Sequence, residues 1–567
     1  SNQETLTMKR SLYFLTAAVL PFSFHAQTIT NRSSQQQAQQ PAVVEDPKST
    51  YGKEYRSPYL EVPLTTDVSK LTEEEKAVLS LLIDAARLAD EIFLVQSGGK
   101  QYEMMFQRIQ EPEMKERFKI NYGPWDRLNG DAAFMKKIPA KPAGAGFYPA
   151  DMTKEEFEKW EDPNARSPYT MITRGPKGFL ESTFYHEAFR EQVMQMVNIL
   201  NKAAVTTTDP ELSYYLKERA QALSVDSYGA SDVAWLKMRN NHLDLIIGPI
   251  ENYEDKLYGL KTSFEAYVLV KDKEWSERLD KYAELLPNLQ RQLPAPKEVK
   301  IQPVGSDSQL AAYDVVYYAG DCNSGSKTIA VNLPNDETIQ QKYGTRRSQL
   351  KNAMRAKYDH ILVPIASELI ADEQTKHITF DAFFSNVMFH EVAHGLGVKN
   401  SKNGLTVREN LKEQSSWLEE EKADVLGLWL IGELYEMGAM EKADMMDHYV
   451  TFLAGIFRSC RFGASSAHGV ANMHTFNFLE GMGAFQKNAE TGKYAVDEYG
   501  MRKGIQLLAE KILMLQFEGD YNTVTAERKS AEMSPALKAT IEAISAKGIP
   551  VDLVFRQGQD VLFSGNK

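Results

Sequence analysis

Two histidines four residues apart, His390 and His394, enclose a glutamate, Glu391, in the stretch His-Glu-Val-Ala-His. Residues four apart on an α-helix lie on the same face about one turn apart, so two imidazoles at this spacing can bind one metal ion. A carboxylate beside the first histidine then lies next to the metal-bound water and can accept its proton. The stretch is typical of the zinc-binding and catalytic helix of a metallopeptidase.

A catalytic zinc ion takes three protein ligands and leaves one position for water, so a third ligand has to come from elsewhere in the chain. One zinc-peptidase pattern places a third histidine six residues after the second, but Asn400 occupies that position. A neutral amide is a weak zinc ligand, which disfavours this pattern. A second pattern takes a glutamate from a later helix, and the candidates are Glu419, Glu420 and Glu421.

Of these three glutamates, only Glu420 has an acid four residues later, Asp424. A zinc-ligating histidine usually donates its second ring nitrogen to a carboxylate, so a helix with acids at this spacing can supply both a ligand and a supporting acceptor. We predict Glu420 as the third ligand, with Asp424 and Glu419 as supporting carboxylates. Apolar residues such as Trp417 and Leu428 flank the run, and they disfavour a merely solvated acidic face.

These residues predict hydrolysis of a peptide bond with one Zn²⁺ ion as cofactor. Zinc polarises the scissile carbonyl and lowers the pKa of its water, while Glu391 accepts a proton and passes it to the leaving amine.

The elements that carry these residues are mostly helical. Thr72 has the position of an N-cap before three glutamates, and apolar residues recur at helical spacing as far as Val95. Comparable patterns predict helices over 177–203, 209–224, 277–289, 344–370, 380–396, 417–437, 441–460, 466–483 and 500–517. The β-branched and aromatic stretches Tyr313–Ala319 and Thr328–Leu333 predict a hairpin in a small sheet. The predicted fold class is α+β, mainly helical.

Bulk composition is that of a globular protein, with 567 residues, 43% hydrophobic and 25% charged. The net charge of −12, without any concentrated basic stripe, argues against a nucleic-acid partner. No transmembrane run is found in the body of the chain, so we expect no stable membrane insertion. The two cysteines, Cys322 and Cys460, are compatible with one disulfide or with two thiols.

The first residues predict export. Lys9 and Arg10 precede an apolar run, Ser11–Leu20, which is too short to span a bilayer comfortably, and Ala26 is a suitable cleavage position. Residues 1–26 are predicted as the export signal with upstream residues, and 27–50, rich in Gln, Ser and Thr, as a flexible tether. We expect a periplasmic protein.

The zinc motifs resemble those of a known family. His390–His394 followed by Glu419–Asp424 is similar to the paired motifs of the dipeptidyl peptidase III family of zinc metallopeptidases. Most of that family carries one more residue between the glutamate and the second histidine, and some bacterial members share the five-residue form.

Three further stretches resemble the same family in the same chain order. Gly248–Asp255 is similar to a segment whose glutamate, here Glu251, grips the amino terminus of the substrate and whose tyrosine, here Tyr253, contacts the reacting carbonyl. Val331–Asn335 contains a similar asparagine pair, Asn332 and Asn335, which also holds the amino-terminal end.

The third stretch, Ala467-His468, resembles the site of a histidine that stabilises the transition state. His474 is a rival for that role. The resemblance therefore implies Glu391, Tyr253 and His468 as catalytic residues.

In shape, the resemblance implies two lobes with a wide cleft. One lobe, containing the small sheet, is expected to comprise 51–265, 300–340 and 525–567, and the helical zinc-binding lobe 266–299 and 341–524. The expected substrates are short peptides with a free amino terminus, from which dipeptides are released. The alternatives are a zinc aminopeptidase or oligopeptidase with another cut position, and a catalytically weak peptide-binding relative.

Overall fold

The structure is a computed structural model that describes residues 57–304, 308–440 and 444–566. The predicted export signal (1–26), its cleavage near Ala26 and the predicted tether (27–50) lie outside the described residues and stay predictions.

Helices dominate the described chain, which confirms the mainly helical α+β prediction. The helices are α1 (Glu73–Gly98), α2 (Lys100–Arg108), α3 (Pro112–Asn121), α4 (Lys154–Lys159), α5 (Tyr185–Ala188), α6 (Arg190–Thr206), α7 (Pro210–Val225), α8 (Gly229–Lys237), α9 (Lys273–Arg291), α10 (Lys297–Lys300), α11 (Glu337–Tyr343), α12 (Lys351–Lys357), α13 (Val363–Leu369), α14 (Phe380–Ala393), α15 (Val407–Leu411), α16 (Ser415–Glu436), α17 (Met445–Cys460), α18 (Ala467–Gly481), α19 (Glu498–Glu518), α20 (Tyr521–Glu527), α21 (Pro535–Ala546) and α22 (Gln559–Leu562). The strands are β1 (Tyr59–Pro63), β2 (Trp125–Asp126), β3 (Ala132–Ala133), β4 (Thr170–Arg174), β5 (Leu180–Phe184), β6 (Leu243–Glu251), β7 (Ser263–Lys271), β8 (Ser308–Gly320), β9 (Ala330–Leu333), β10 (Thr345–Leu350), β11 (Phe485–Lys487), β12 (Tyr494–Val496) and β13 (Asp552–Arg556).

Helix α1 shows how local signals determine these elements. Thr72 accepts a hydrogen bond from the Glu75 amide at 3.1 Å, and the Glu75 carboxylate accepts one from the Thr72 amide at 3.1 Å. This capping box satisfies backbone donors that the first turn leaves free. The apolar face of α1 is buried, so the helix predicted from Thr72 to Val95 is confirmed.

The main sheet has five strands in the order β6-β7-β8-β10-β9. Strand β10 lies between β8 and β9, parallel to the first and antiparallel to the second. The predicted hairpin of β8 and β9 is therefore wrong, because the two strands share a sheet without pairing. Strand β9 is an edge strand of this sheet.

Two predicted helices begin with strands instead. Residues 345–350, inside the helix predicted over 344–370, form β10, and residues 180–184, inside the helix predicted over 177–203, form β5. In β10 the buried Arg346 donates hydrogen bonds to the carbonyls of Trp235 at 2.9 Å and Met238 at 2.7 Å. These partners are distant in sequence, and they override the weak helical pattern of the segment.

The first and last strands pair with each other. Strands β1 and β13 run parallel, with Tyr59 opposite Asp552. The Asp552 carboxylate lies 3.1 Å from Lys357 Nζ, and both side chains are fully buried. Asp552 also accepts a hydrogen bond from the Lys327 amide at 3.0 Å, so the last strand is held by a buried ion pair as well as by its ladder.

A large apolar core joins the main sheet to the helices around it. Cys322 and Cys460 are both buried in this core, and no disulfide joins them. Among the residues that the structure describes, we find no helix with the length and hydropathy needed to cross a membrane. The lobe boundaries given above stay a prediction.

Candidate active site

The candidate site is built on two buried helices, α14 and α16. Helix α14 is apolar on nearly all sides, as expected of a helix enclosed by the protein. Gly427 of α16 lies against the α14 backbone, where a Cβ atom would come within 2.9 Å of His390 N and 3.0 Å of Phe389 C. Glycine therefore permits the close approach that brings acids on α16 to His390 on α14 and to His394 directly after it.

The three predicted metal ligands come together between these helices. His390 Nε2 lies 3.2 Å from His394 Nε2 and 3.4 Å from Glu420 Oε2, and His394 Nε2 lies 3.7 Å from Glu420 Oε1. A tetrahedral zinc ion with ligands at about 2.0–2.1 Å needs ligand atoms about 3.3–3.4 Å apart. The observed separations, 3.2–3.7 Å, are close to those of one face of such a tetrahedron.

The burial of Glu420 and the hydrogen bonding of its carboxylate support this fit. Its side chain is completely buried, and among the described residues neither of its oxygens receives a well-directed hydrogen bond. Burial opposes ionisation, but the nearby imidazoles of His468 and His394 hold the pKa of Glu420 below its ordinary value. A buried carboxylate without hydrogen bonds is costly unless a cation compensates it. The donor set therefore suits a divalent metal ion.

Each histidine is held through its other ring nitrogen. His390 Nδ1 lies 2.6 Å from Asp424 Oδ1, and His394 Nδ1 lies 2.9 Å from Glu419 Oε1. Burial alone would lower the pKa of His390, but Asp424 and Glu420 outweigh it and raise the pKa well above its ordinary value. These contacts orient both Nε2 atoms toward Glu420.

Lys422 also belongs to the hydrogen-bond network around the two histidines, although it was not predicted from the sequence. Its Nζ donates to the Leu396 carbonyl at 2.6 Å and lies 2.8 Å from Glu419 Oε1. Burial opposes ionisation of Glu419, but Lys422 and His394 lower its pKa to about 2. Lys422 thus connects the turn after α14 to the carboxylate that supports His394.

Glu391 lies beside the ligands with an arginine as its partner. Its side chain is buried, and Arg347 Nη1 of β10 donates a hydrogen bond to Glu391 Oε2 at 2.7 Å. The other oxygen, Oε1, lies 4.0 Å from His390 Nε2. The carboxylate therefore has one anchored oxygen and one on the side of the ligands.

The two candidate histidines on α18 differ in position. His468 Nδ1 lies 3.0 Å from Glu420 Oε2, within the candidate site. His474 lies 2.5 Å from Glu421 Oε2 and 3.0 Å from Glu527 Oε1, as a buried bridge between helices. Geometry therefore favours His468 over His474 as a site residue.

The residues predicted to bind the amino end of a substrate cluster at the main sheet. Asn335 Nδ2 donates to the Ile250 carbonyl at 3.2 Å and lies 3.4 Å from Glu251 Oε2, at the end of β6. Asn332 lies on β9. The side-chain oxygens of Asn332 and Asn335 are buried, and in the described part of the chain neither receives a hydrogen bond. Tyr253 is half-buried in the turn after β6, and its role stays a prediction.

Strand pairing links this cluster to the metal ligands. In the β9–β10 ladder Asn332 lies opposite Arg347, the residue that contacts Glu391. By contrast Asn400, the position of the disfavoured third-histidine pattern, is exposed, and its carbonyl accepts a hydrogen bond from Gln302. Arg347 on β10 is thus paired with a residue of one predicted group and contacts the glutamate beside the other group.

Known proteins share this architecture. The solved structure of DPP III from Caldithrix abyssi is 36% identical, with a TM-score of 0.84, over 88% of this chain and 98% of that one. The sequence profile of peptidase family M49 matches residues 173–404. The chain belongs to peptidase family M49, the dipeptidyl peptidase III family.

The chain is also similar to a second solved structure and to two proteins compared by sequence. The structure of dipeptidyl-peptidase III from Corallococcus sp. strain EGB is 33% identical with a TM-score of 0.74, over 88% of this chain and 95% of that one. Nudix hydrolase 3 of Arabidopsis thaliana is 31% identical over 561 residues, which are 87% of this chain and 72% of that protein. Dipeptidyl peptidase 3 of Homo sapiens is 24% identical over 196 residues, 34% of this chain and 24% of the human protein.

The M49 chain is thus a metallopeptidase of the DPP III type, and the two-lobed expectation agrees with the likeness to DPP III structures.

Proposed function

We propose that this protein is a zinc-dependent exopeptidase that releases dipeptides from the amino terminus of short peptides. The observation that carries the proposal is the link across β10, where Arg347 contacts Glu391 beside the metal ligands and faces Asn332 of the amino-end cluster. A receptor for the free amino terminus at a fixed place relative to the ligands would define where a bound peptide is cut.

The amino-end cluster has the chemistry of an ammonium receptor. Glu251 supplies a carboxylate, and Asn332 and Asn335 supply buried amide oxygens that can accept hydrogen bonds from an ammonium group. Strand β9, which carries Asn332, is an edge strand, and an extended peptide can add to such an edge through main-chain hydrogen bonds.

In the proposed reaction the side chains hold the metal ion, transfer a proton and stabilise negative charge. A zinc ion held by His390, His394 and Glu420 would polarise the scissile carbonyl and make a water molecule more acidic. Glu391 accepts the proton of the attacking water at Oε1 and delivers it to the leaving amine. His468 and Tyr253 donate hydrogen bonds to the carbonyl oxygen as negative charge develops on it.

Product analysis tests the cut position. An unblocked pentapeptide and the same peptide with an acetylated amino terminus are incubated with the zinc-loaded protein, and products are identified by mass spectrometry. We expect release of the first two residues as a dipeptide from the unblocked peptide and little cleavage of the acetylated one. Release of single residues would refute dipeptide release, and equal cleavage of both peptides would refute the roles of Glu251, Asn332 and Asn335.

Replacement of the base tests the chemistry separately. We expect Glu391→Gln to reduce kcat by about 10²–10⁴-fold, the usual contribution of a general base, while zinc content measured by atomic absorption stays near one ion per chain. Glu420→Gln is the matched variant, because it should lose zinc as well as activity. If the unchanged protein binds peptides but does not hydrolyse them, the peptide-binding alternative replaces this proposal.

A further inference from the structure

The contact between Arg347 and Glu391 crosses from the main sheet to the zinc-site helix. Arg347 lies on β10 and Glu391 on α14, and their 2.7 Å contact joins a guanidinium whose side chain is 17% exposed to a carboxylate that is 3% exposed. A buried carboxylate is unfavourable without a partner, and a guanidinium remains charged throughout the useful pH range. The pair therefore holds the charge of Glu391 in a defined place.

The contact is also asymmetric with respect to the two carboxylate oxygens. Oε2 receives the Arg347 hydrogen bond, whereas Oε1 is buried and, among the described residues, receives none. Oε1 is the oxygen that lies 4.0 Å from His390 Nε2. Anchoring Oε2 leaves Oε1 free on the side of the metal ligands, which is the orientation a general base needs.

The strand that carries Arg347 sets this orientation. Successive side chains of a strand point to opposite faces, so Arg346 and Arg347 are directed to opposite sides of the sheet. Arg346 is enclosed by backbone carbonyls of the α8 region, and Arg347 faces α14. Since Arg347 lies opposite Asn332, the same ladder holds the anchor of the base and part of the amino-end cluster.

We infer that Arg347 is a positioning residue for the reaction, which fixes the Glu391 carboxylate with Oε1 toward the metal ligands and aligns it with the amino-end cluster through the β9–β10 ladder. The inference rests on the proposed function of Glu391 as the base. Arg347 is expected to affect the chemical step more than peptide binding, because it contacts the base directly.

Removal of the anchor should therefore lower kcat and leave KM nearly unchanged. A misplacement of about 1 Å at a reacting group can cost about 10²-fold in rate, so we expect Arg347→Gln to lower kcat about 10–100-fold. Arg347→Lys keeps the charge but loses the planar fork, and we expect it to recover part of the rate. Zinc content should stay close to that of the unchanged protein. Loss of the ion pair should lower Tm, but by less than a substitution of Arg346, because Arg347 is 17% exposed and Arg346 is 1% exposed.

Arg346→Lys is the matched control, since the two arginines are neighbours on β10 with opposite faces. Arg346 is 1% exposed and has a structural set of partners, so this variant should lower Tm while kcat per folded molecule is retained. A kcat loss in Arg347→Gln that is accompanied by the same fall in Tm would indicate a structural role and overturn the inference.

A double-mutant cycle with Glu391→Asp completes the test. The shorter aspartate side chain should no longer reach Arg347. In the Glu391→Asp background, Arg347→Gln should therefore lower kcat by less than about threefold, which is smaller than the loss expected from Arg347→Gln alone. Millimolar guanidinium should partly restore the kcat of Arg347→Ala. Full additivity of the two losses, or unchanged kcat in Arg347→Gln, would overturn the inference.

The kinetic constants are measured from total hydrolysis of the unblocked pentapeptide, so they do not depend on which bond is cut. Hydrolysis at another bond would refute dipeptide release and still measure the Arg347 effect, whereas absence of hydrolysis by the unchanged protein would overturn both proposals.

Discussion

Gly427→Ala is the substitution that tests most directly how the two site helices are held together. The added Cβ atom would lie 2.9 Å from His390 N, 3.0 Å from Phe389 C and 3.1 Å from Phe389 O. These are backbone atoms of α14, so no side chain can rotate away to relieve the contact. Ordinary contact begins near 3.4 Å, and α16 must therefore move from α14 by about 0.5 Å.

Two opposing contributions determine the effect on stability. Alanine in a helix interior gains about 0.8–1.0 kcal/mol over glycine, whereas overpacking a close contact costs about 1–3 kcal/mol. We expect the free energy of unfolding of the metal-free protein to fall by about 0–2 kcal/mol. The metal site should be more sensitive, because ligand geometry has to be kept within about 0.5 Å. A shift of that size separates Glu420 from both histidines, and we expect at least about tenfold weaker zinc binding.

Gly432→Ala supplies the control on the same helix. Its Cβ atom would have Met445 Cε as nearest neighbour at 3.9 Å, so only the propensity gain remains. We expect Gly432→Ala to raise stability by up to about 1 kcal/mol and to leave zinc affinity unchanged. Urea unfolding of the metal-free proteins and competition with a zinc chelator measure the two quantities. Equal zinc affinity in the two variants would refute the argument that the Gly427 contact sets the ligand geometry.

Three further predictions concern individual ionisable residues. Burial lowers the pKa of His448 to about 4, so the unfolded chain binds a proton that the folded chain does not between pH 6.5 and 4, and stability falls as the pH falls through this range. His448→Gln should remove about 1.4 kcal/mol per pH unit from this pH dependence of the free energy of unfolding, measured by urea unfolding, and an unchanged pH dependence would contradict the prediction. Lys357→Met leaves Asp552 buried without its cation and should lower the free energy of unfolding by about 3–5 kcal/mol in the same assay. The double variant Lys357→Met/Asp552→Asn should recover part of this loss, and no recovery would contradict the pairing. Asp424→Asn should weaken zinc binding about 10–100-fold by chelator competition, and unchanged affinity would exclude support of His390 through Nδ1.

Short-range patterns in the sequence were sufficient to predict most of the helices and to choose the candidate ligands. The α1 capping box needs only residues three apart, and the pair His390 and His394 needs only one helical turn. Glu420 followed from the four-residue spacing to Asp424, because both a ligand and its support have to face the same way. Periodicity therefore predicted which side chains share a face, and the structure brings those faces together.

Long-range pairing was not predictable in the same way. The sequence of β10 is polar and resembles the start of a helix. Its pairing with β8 and β9, which are distant in sequence, makes it a strand. The contribution of Arg347 depends on its register against Asn332 and on its contact with α14. Neither feature can be predicted from the residues next to Arg347 in the sequence. Gly427 and Lys422 were missed for the same reason, since their importance lies in the distance between two helices.

The pairing of β1 with β13 has a consequence for the order in which the chain acquires its structure. Tyr59 leaves the ribosome long before Asp552, so the first described strand has to remain without its partner while nearly all of the intervening chain is made. Lys357 is likewise without its partner Asp552 until the last strand is made. Closure of such distant contacts is a slow and late event in folding. The β1–β13 pairing and the Lys357–Asp552 ion pair would therefore form only when synthesis is nearly finished.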